Sequence, residues 1–279
     1  MSSLTVGIIT YNSPGILRRC LETLVAYTSG YDEIFVINNN PEEEYRTAVD
    51  EVASYIAHPL NVVHMDKHGK PSHAINASLS LCQTDQLCMV SDDVMFVPGN
   101  PFWPSMIGIT ADPKVGLVGP TIDRGSSPLQ LAATVFPCDF LQTNYIMGMM
   151  LMARTDVWKE VGGCDEELEG GEEMDLVMYA MKAGYRIIIN RQVYIYHEGA
   201  ATMKKLYDEE AYMARGKRAG EYIIAKHGED VYFNPVDLPG FPRDENGPAP
   251  MTPVDPAHRI AMHVALVYHQ GGTKDDASD

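Results

Sequence analysis

Val6, Ile8 and Ile9 form an apolar run that stops at Thr10-Tyr11-Asn12, and Ile16, Leu17, Cys20, Leu21 and Leu24 then recur at the spacing of one helix face. The pattern predicts a buried strand, a short polar turn and an amphipathic helix, with Ser13 and Pro14 as its N-cap and first-turn residues. The alternation then repeats. "EIFVINNN" at 33–40 reads as a second buried strand ending in three asparagines, and "PEEEYRTAVDEVASYI" opens with proline and acids, as helix amino termini do. "LNVVHM" (60–65) is a short third strand and "PSHAINASLSLCQ" (71–83) a helix. "QLCMVSDDVMFV" (86–97) is a fourth strand interrupted by two acids.

Beyond residue 97 the pattern loosens. "GNPFWPSMIGITADPKVGLVGPTI" suggests a helix and a strand, and "RGSSPLQ" a loop. From 145 it returns: a strand "YIMGMMLMA" at 145–153, a helix "TDVWKEVGG", an acidic loop and helix within "DEELEGGEEMDLVMYAMKAG", and a strand "YRIIINRQVYIYHEG". Residues 203–227 read as a long polar helix and 234–257 carry proline and glycine at linker density. "RIAMHVALVYH" reads as a final strand or helix, and the tail from Gly271 as disordered. No repeat of solenoid type is present. The β-α-β-α order predicts an α/β fold whose first half, 1–97, is a doubly wound nucleotide-binding unit.

The 279 residues are 45% hydrophobic, enough for one large α/β domain or two smaller ones. The 21 Lys and Arg against 38 Asp and Glu give a formal net charge of -17 without any basic block, which argues against nucleic acid or an anionic membrane as partner. The five cysteines show no metal-binding spacing and read as buried free thiols of a reducing compartment. No basic leader with a cleavable apolar core opens the sequence, and the most apolar window, 145–153, is about half the length that crosses a bilayer. The expectation is a cytoplasmic protein without a transmembrane segment.

In open α/β sheets ligands bind at the carboxyl ends of the strands, and Thr10-Tyr11-Asn12 lies there, against a helix amino terminus that favours an anion. Asp92 and Asp93 follow a buried strand into the same crevice and offer hard oxygen ligands to a divalent cation, although an Asp-Asp pair also suits a plain turn. Glu172, Glu173 and Asp175 open a helix that buries Leu176, Val177, Ala180 and Met181. Dipole compensation alone accounts for such acids, but Gly170 and Gly171 before them permit a close backbone approach that a surface helix does not need. His197 ends a strand, as a metal ligand, a general base or a hydrogen-bonded structural residue.

The succession "GIITYN", "VINNN", "SDDV", "GMMLMARTDVWKEVGGCDEEL", "GEEMDL" and "AGYRIIINRQVYIYHEG" resembles the family 2 glycosyltransferases over about residues 4–200. The resemblance implies a GT-A fold, a Rossmann-like mixed sheet flanked by helices, over residues 1–200. A nucleotide-binding half (1–97) and an acceptor half (98–200) would be followed by a helical C-terminal extension (201–270) and a tail (271–279). It implies that Thr10, Tyr11 and Asn12 line the nucleotide pocket, and that Asn38, Asn39 and Asn40 contact the base or ribose. Ser91-Asp92-Asp93 falls on the DxD element, with Asp93 holding Mn²⁺ or Mg²⁺ on the sugar diphosphate, Asp92 beside it, and Ser91 in place of the usual first acid. Glu172-Glu173 falls on the Glu-Asp element, making Glu173 the catalytic base and Glu172 the second candidate, and His197 on the late metal or diphosphate ligand. Cys164 stands where an aromatic is commoner.

The implied function is a metal-dependent, inverting glycosyltransferase moving a sugar from a nucleotide-diphosphate donor to an acceptor hydroxyl. A retaining enzyme on the same scaffold and a nucleotide-sugar-binding protein without turnover remain as alternatives. A nucleotidyltransferase would carry a Gly-rich basic loop after the first strand, which "TYNSPG" is not. Residues 199–215 follow His197 directly and suggest a loop that closes over the donor, with Lys204 or Lys205 reaching the diphosphate.

Overall fold

A computed structural model describes residues 2–99, 102–125, 127, 129–132, 139–199 and 208–228. The linker expected at 234–257, the element at 259–269, the tail, Lys204, Lys205 and Cys138 lie outside the described residues.

Among the described residues nine strands form one mixed sheet: β1 (Leu4–Thr10), β2 (Glu33–Asn38), β3 (Asn61–His64), β4 (Gln86–Ser91), β5 (Val94–Phe96), β6 (Val115–Ile122), β7 (Phe140–Thr143), β8 (Met150–Arg154) and β9 (Arg186–His197). The order is β3-β2-β1-β4-β8-β6-β9-β5, with β7 on β9. β1 to β4 pair in parallel, β8 runs against both β4 and β6, and β9 is parallel to β6. It follows that Thr10, Asn38, His64, Ser91 and His197 all end strands at one edge of the sheet. The segment entering β8 begins at that same edge.

Strand alternation loads both faces. Leu4, Val6, Ile8, Cys88, Val90, Met150 and Met152 point to one core, which α1 (Pro14–Tyr27), α2 (Glu43–Tyr55) and α4 (Phe102–Thr110) cover. Leu87, Met89, Leu117, Leu151 and Ala153 point to the other, under α5 (Thr155–Glu160) and α6 (Glu172–Lys182), with Ile75 and Leu79 of α3 (Pro71–Leu81) against it. α1 buries Leu17, Cys20, Leu21 and Leu24, the stripe expected from the sequence. Each leucine so buried contributes about 1.5–3 kcal/mol of transfer free energy. Ser13 occupies the N-cap of α1, but no side-chain cap hydrogen bond forms there. α7 (Glu209–His227) is capped by Asp208, whose Oδ1 accepts from Ala211 N at 2.8 Å. It provides the helix expected at 203–227, of which 203–207 are outside the described residues.

Two expectations are corrected. The strand expected at 145–153 begins only at Met150, because residues 145–149 are spent on a turn: Met147 N donates to Gln130 Oε1 and the Met149 carbonyl accepts from Ser91 N. The single strand expected at 86–97 is two. After a turn at Asp92-Asp93, β5 leaves β4 and pairs antiparallel with β9, setting Val94 opposite His197. Cys20, Cys82, Cys88 and Cys164 are buried free thiols. Among the described residues no helix is long and apolar enough to cross a membrane.

Candidate active site

The carboxyl edge of the sheet opens into a cavity of about 640 Å³. Tyr11, Asn39, Asp92, Asp93, Glu172, Glu173 and His197, seven of the residues singled out from the sequence, line it together. Thr10, Asn12, Asn38 and Asn40 do not. Their side chains hold the strand ends instead. Thr10 Oγ1 donates to Asp92 Oδ2 at 2.6 Å, Asn12 takes a left-handed φ of 55° and accepts from Asn40 Nδ2, and Asn38 Nδ2 bonds the Asn40 carbonyl and the His64 ring.

Asn39 is arranged differently from its two neighbours. Its Nδ2 donates to the Gly69 carbonyl at 2.8 Å, while its Oδ1 is buried without a hydrogen-bond partner. Tyr11 lies nearby in a tilted pair with His68, ring centroids 4.8 Å apart. An aromatic face beside an unpaired acceptor can hold a planar heterocycle.

Asp93 and His197 meet at the far side of the β4–β5 turn, His197 Nε2 lying 3.3 Å from Asp93 Oδ2. Both side chains are nearly buried, and Asp93 Oδ1 and His197 Nδ1 have no partner. Asp123 Oδ1 accepts from His197 N at 2.8 Å, and Glu198 N donates to the Asp93 carbonyl, so the pair is fixed through the backbone on both sides. Burial opposes ionisation of Asp93, but the adjacent imidazole overcomes it and holds the carboxyl below the usual range. Burial likewise works against the His197 charge, yet Asp93 raises its pKa. Asp92 behaves differently: burial, followed by the charge of Asp93, pushes it up to about 8.

A carboxylate and an imidazole 3.3 Å apart on the cavity wall are ligand types that suit a hard or borderline divalent cation whose remaining positions come from a bound anion and water. Among the described residues no group of three or more His, Cys, Asp or Glu is placed to hold a metal by itself.

The two glutamates line the same cavity from the first turn of α6. Gly171, at its N-cap, has φ 76°, and a β-carbon there would lie 3.1 Å from Ile223 Cδ1 of α7, so both the left-handed conformation and the close approach call for glycine. Glu172 is buried, with Oε1 unpartnered, and burial raises its pKa against the pull of Arg215 and Lys70. Glu173 is half-buried, and burial, then the neighbouring Glu172 charge, pushes it up to about 7. Gly148 lies against it: a β-carbon at 148 would be 3.0 Å from Glu173 Cβ and 3.1 Å from its Oε2.

The sequence alone did not single out His68, Gly69, Lys70, Gly148 or Arg218, all of which line the cavity; Tyr212 and Arg215, which also line it, fall in the segment expected to close over the donor and lie on the helix α7 rather than a loop. The first three follow β3, so the rule that flagged Thr10-Tyr11-Asn12 applies to them equally. Lys70 Nζ donates to the carbonyls of Glu166 and Glu167, tying α3 to the acidic loop.

The family model described as glycosyl transferase family 2 matches residues 5–151. Pre-mycofactocin glycosyltransferases of two Mycobacterium tuberculosis strains are each 28% identical over 144 residues, 46% of this chain and 30% of theirs. The match therefore spans under a third of the length of these curated relatives. Among solved structures, a mannosyltransferase from Pyrobaculum calidifontis in complex with GDP-Man and Mn²⁺ superposes with a TM-score of 0.61 and 18% identity, covering 96% of this chain and 70% of that one. GalNAc-T7 with UDP, GalNAc and Mn²⁺ superposes with a TM-score of 0.60 and 14% identity, covering 71% and 44%. Both similarities place the sheet and its flanking helices in the GT-A fold.

Proposed function

The chain belongs to glycosyl transferase family 2, and from that premise we propose that it moves a sugar from a nucleotide-diphosphate donor to an acceptor hydroxyl by single displacement with inversion. The observation that carries this reading is that Glu173, Asp93, His197, Tyr11 and Asn39 line one cavity. The nucleoside lies on Tyr11 with its base edge toward Asn39 Oδ1. The diphosphate points to Asp93 and His197, and the acceptor enters beside Glu173.

Asp93 and His197 are the residues that would hold Mn²⁺ or Mg²⁺. When bound, such an ion stabilises the charge of the departing diphosphate as a Lewis acid. That solved GT-A structures contain Mn²⁺ with GDP-Man or UDP supports this assignment. Glu173 accepts the acceptor hydroxyl proton at its carboxylate as the oxygen attacks the anomeric carbon and the diphosphate leaves from the opposite face. A base with a pKa near 7 is matched to that task at neutral pH. Glu172, between Arg215 and Lys70, orients the acceptor.

The pH dependence follows from the required form. Only ionised Glu173 can accept a proton, so kcat/KM is expected to be level above about pH 8 and to fall about tenfold per unit below about pH 7. Release of nucleoside diphosphate from a panel of UDP and GDP sugars with Mn²⁺, measured from pH 5 to 9, checks both activity and slope. No turnover of any donor, or a profile flat to pH 5, contradicts the reading.

Gly148→Ala gives a finer check. A methyl group there displaces the Glu173 carboxylate by a few tenths of an ångström, and turnover is expected to fall by about tenfold with nucleotide affinity unchanged. Steady-state kinetics beside a thermal melt separates this from a folding defect. Wild-type turnover would place Glu173 away from the reacting atoms.

A further inference from the structure

α7 lines the cavity through Tyr212, Arg215 and Arg218, and among the described residues its Ile223 packs in a small apolar cluster with Leu168 and Met174, against Tyr145 and Ile224. A polar attachment lies in the same last turn. Asp175, on α6 two residues beyond Glu173, is fully buried and does not line the cavity. Both of its carboxylate oxygens are engaged by α7. Oδ1 accepts from His227 Nε2 at 2.6 Å and Oδ2 from Lys226 Nζ at 3.1 Å.

Lys226 reaches further. Its ammonium also donates to Asp165 Oδ2 at 2.5 Å, at the start of the acidic loop that leads into Glu172 and Glu173, and it lies over the Tyr179 ring at 5.0 Å. Lys182 Nζ donates to His227 Nδ1 at 2.9 Å, which leaves Nε2 as the protonated nitrogen facing Asp175. One end of α7 therefore grips both sides of the segment bearing the two glutamates. Arg218, one helical face nearer the cavity, adds a third grip on the same loop through Glu169 at 2.8 Å.

We propose that Asp175, Lys226 and His227 are positioning residues of the transfer site: their buried knot fixes the first turn of α6 and holds α7 across the cavity, so that Glu173 and Arg215 keep their relative places. The inference rests on the sugar-transfer reading for its consequence in turnover, but not for its geometry. A carboxylate that touches no substrate and is buried only to pair with the last turn of a distant helix has that attachment as its use. Removing one partner leaves buried charge uncompensated and releases the attachment.

Hydrogen exchange on the full chain, followed by mass spectrometry, tests it alongside calorimetric binding of UDP and GDP with Mn²⁺ and turnover of their sugars. In Lys226→Met, amides of α7 and of the first turn of α6 are expected to exchange at least about tenfold faster, with β1, β2 and β4 unchanged. Nucleotide affinity stays within about twofold while kcat falls at least about tenfold. His227→Gln, which keeps an N–H toward Asp175, retains near-native values in each readout, whereas His227→Leu behaves like Lys226→Met. Native exchange at the first turn of α6 in Lys226→Met overturns the proposal. Equal loss of protection throughout the sheet does so too, since it would make the knot a general stabiliser. A wild-type chain that binds neither nucleotide overturns the sugar-transfer reading instead, and the exchange pattern then decides the positioning role.

Discussion

Glu173→Gln is expected to lower sugar transfer by about 10²-fold or more while leaving nucleotide-diphosphate binding within about twofold of wild type. Glutamine keeps the length of the side chain and its hydrogen bonding but cannot accept the hydroxyl proton. Stability moves the other way. Because burial and Glu172 raise the Glu173 pKa to about 7, above its unfolded value, ionising it opposes folding, and the cost appears as pH rises through that interval. At pH 8 the variant is therefore expected to melt no lower than wild type. Glu172→Gln should be milder, since that carboxylate feels the charges of Arg215 and Lys70 and serves to orient rather than to take the proton. Adjacent positions on a helix point about 100° apart, so only one of the two can face the acceptor squarely. A large rate loss in Glu172→Gln with near-normal Glu173→Gln would exchange their roles.

Asp93→Asn is expected to weaken Mn²⁺-dependent binding of nucleotide diphosphate by about 10²-fold, or about 2.7 kcal/mol, and to leave metal-free binding almost unchanged. Asparagine fits the same space and can still accept from His197, so the change removes charge and ligand strength rather than shape. The sign of the pH effect on Asp93 is opposite to that on Glu173. Asp93 has a pKa below its unfolded value, so its contribution to stability is present above the ordinary carboxylate range and is lost as pH falls through its lowered folded value. Asp93→Asn should therefore flatten the loss of stability in acid, which a melt series from pH 3 to 7 reads out. Equal metal dependence in wild type and variant would move the metal away from Asp93.

Strand positions and the shared edge were legible because each signal is local. Apolar runs of six or seven residues ending in polar triplets mark parallel strands, and parallel strands must end on the same side. That brought Tyr11 and Asp93 toward one place, and the family resemblance added Asn39 and His197. What the local signal overstated was the use of every residue in a triplet. Successive side chains near a strand end point to opposite faces, so Asn38, Asn39 and Asn40 could not all turn to one cavity, and of the three Asn39 lines it. The methionine-rich window hid a different exception. Its hydrophobicity reads as continuous strand, but Gly148 sits in a turn that the cavity requires, and no periodicity marks that. The pairing of Asp175 with Lys226 and His227 was illegible for a third reason: α7 reaches α6 across about 50 residues of sequence, through contacts that depend on tertiary packing.

Calorimetric titration of wild-type protein with UDP and with GDP, each with and without Mn²⁺, decides whether this cavity takes a nucleotide diphosphate at a metal held by Asp93 and His197. At least one of the two is expected to bind at micromolar concentration, with Mn²⁺ tightening it by about tenfold or more. Millimolar or absent binding of both, or an affinity indifferent to the metal, would contradict it.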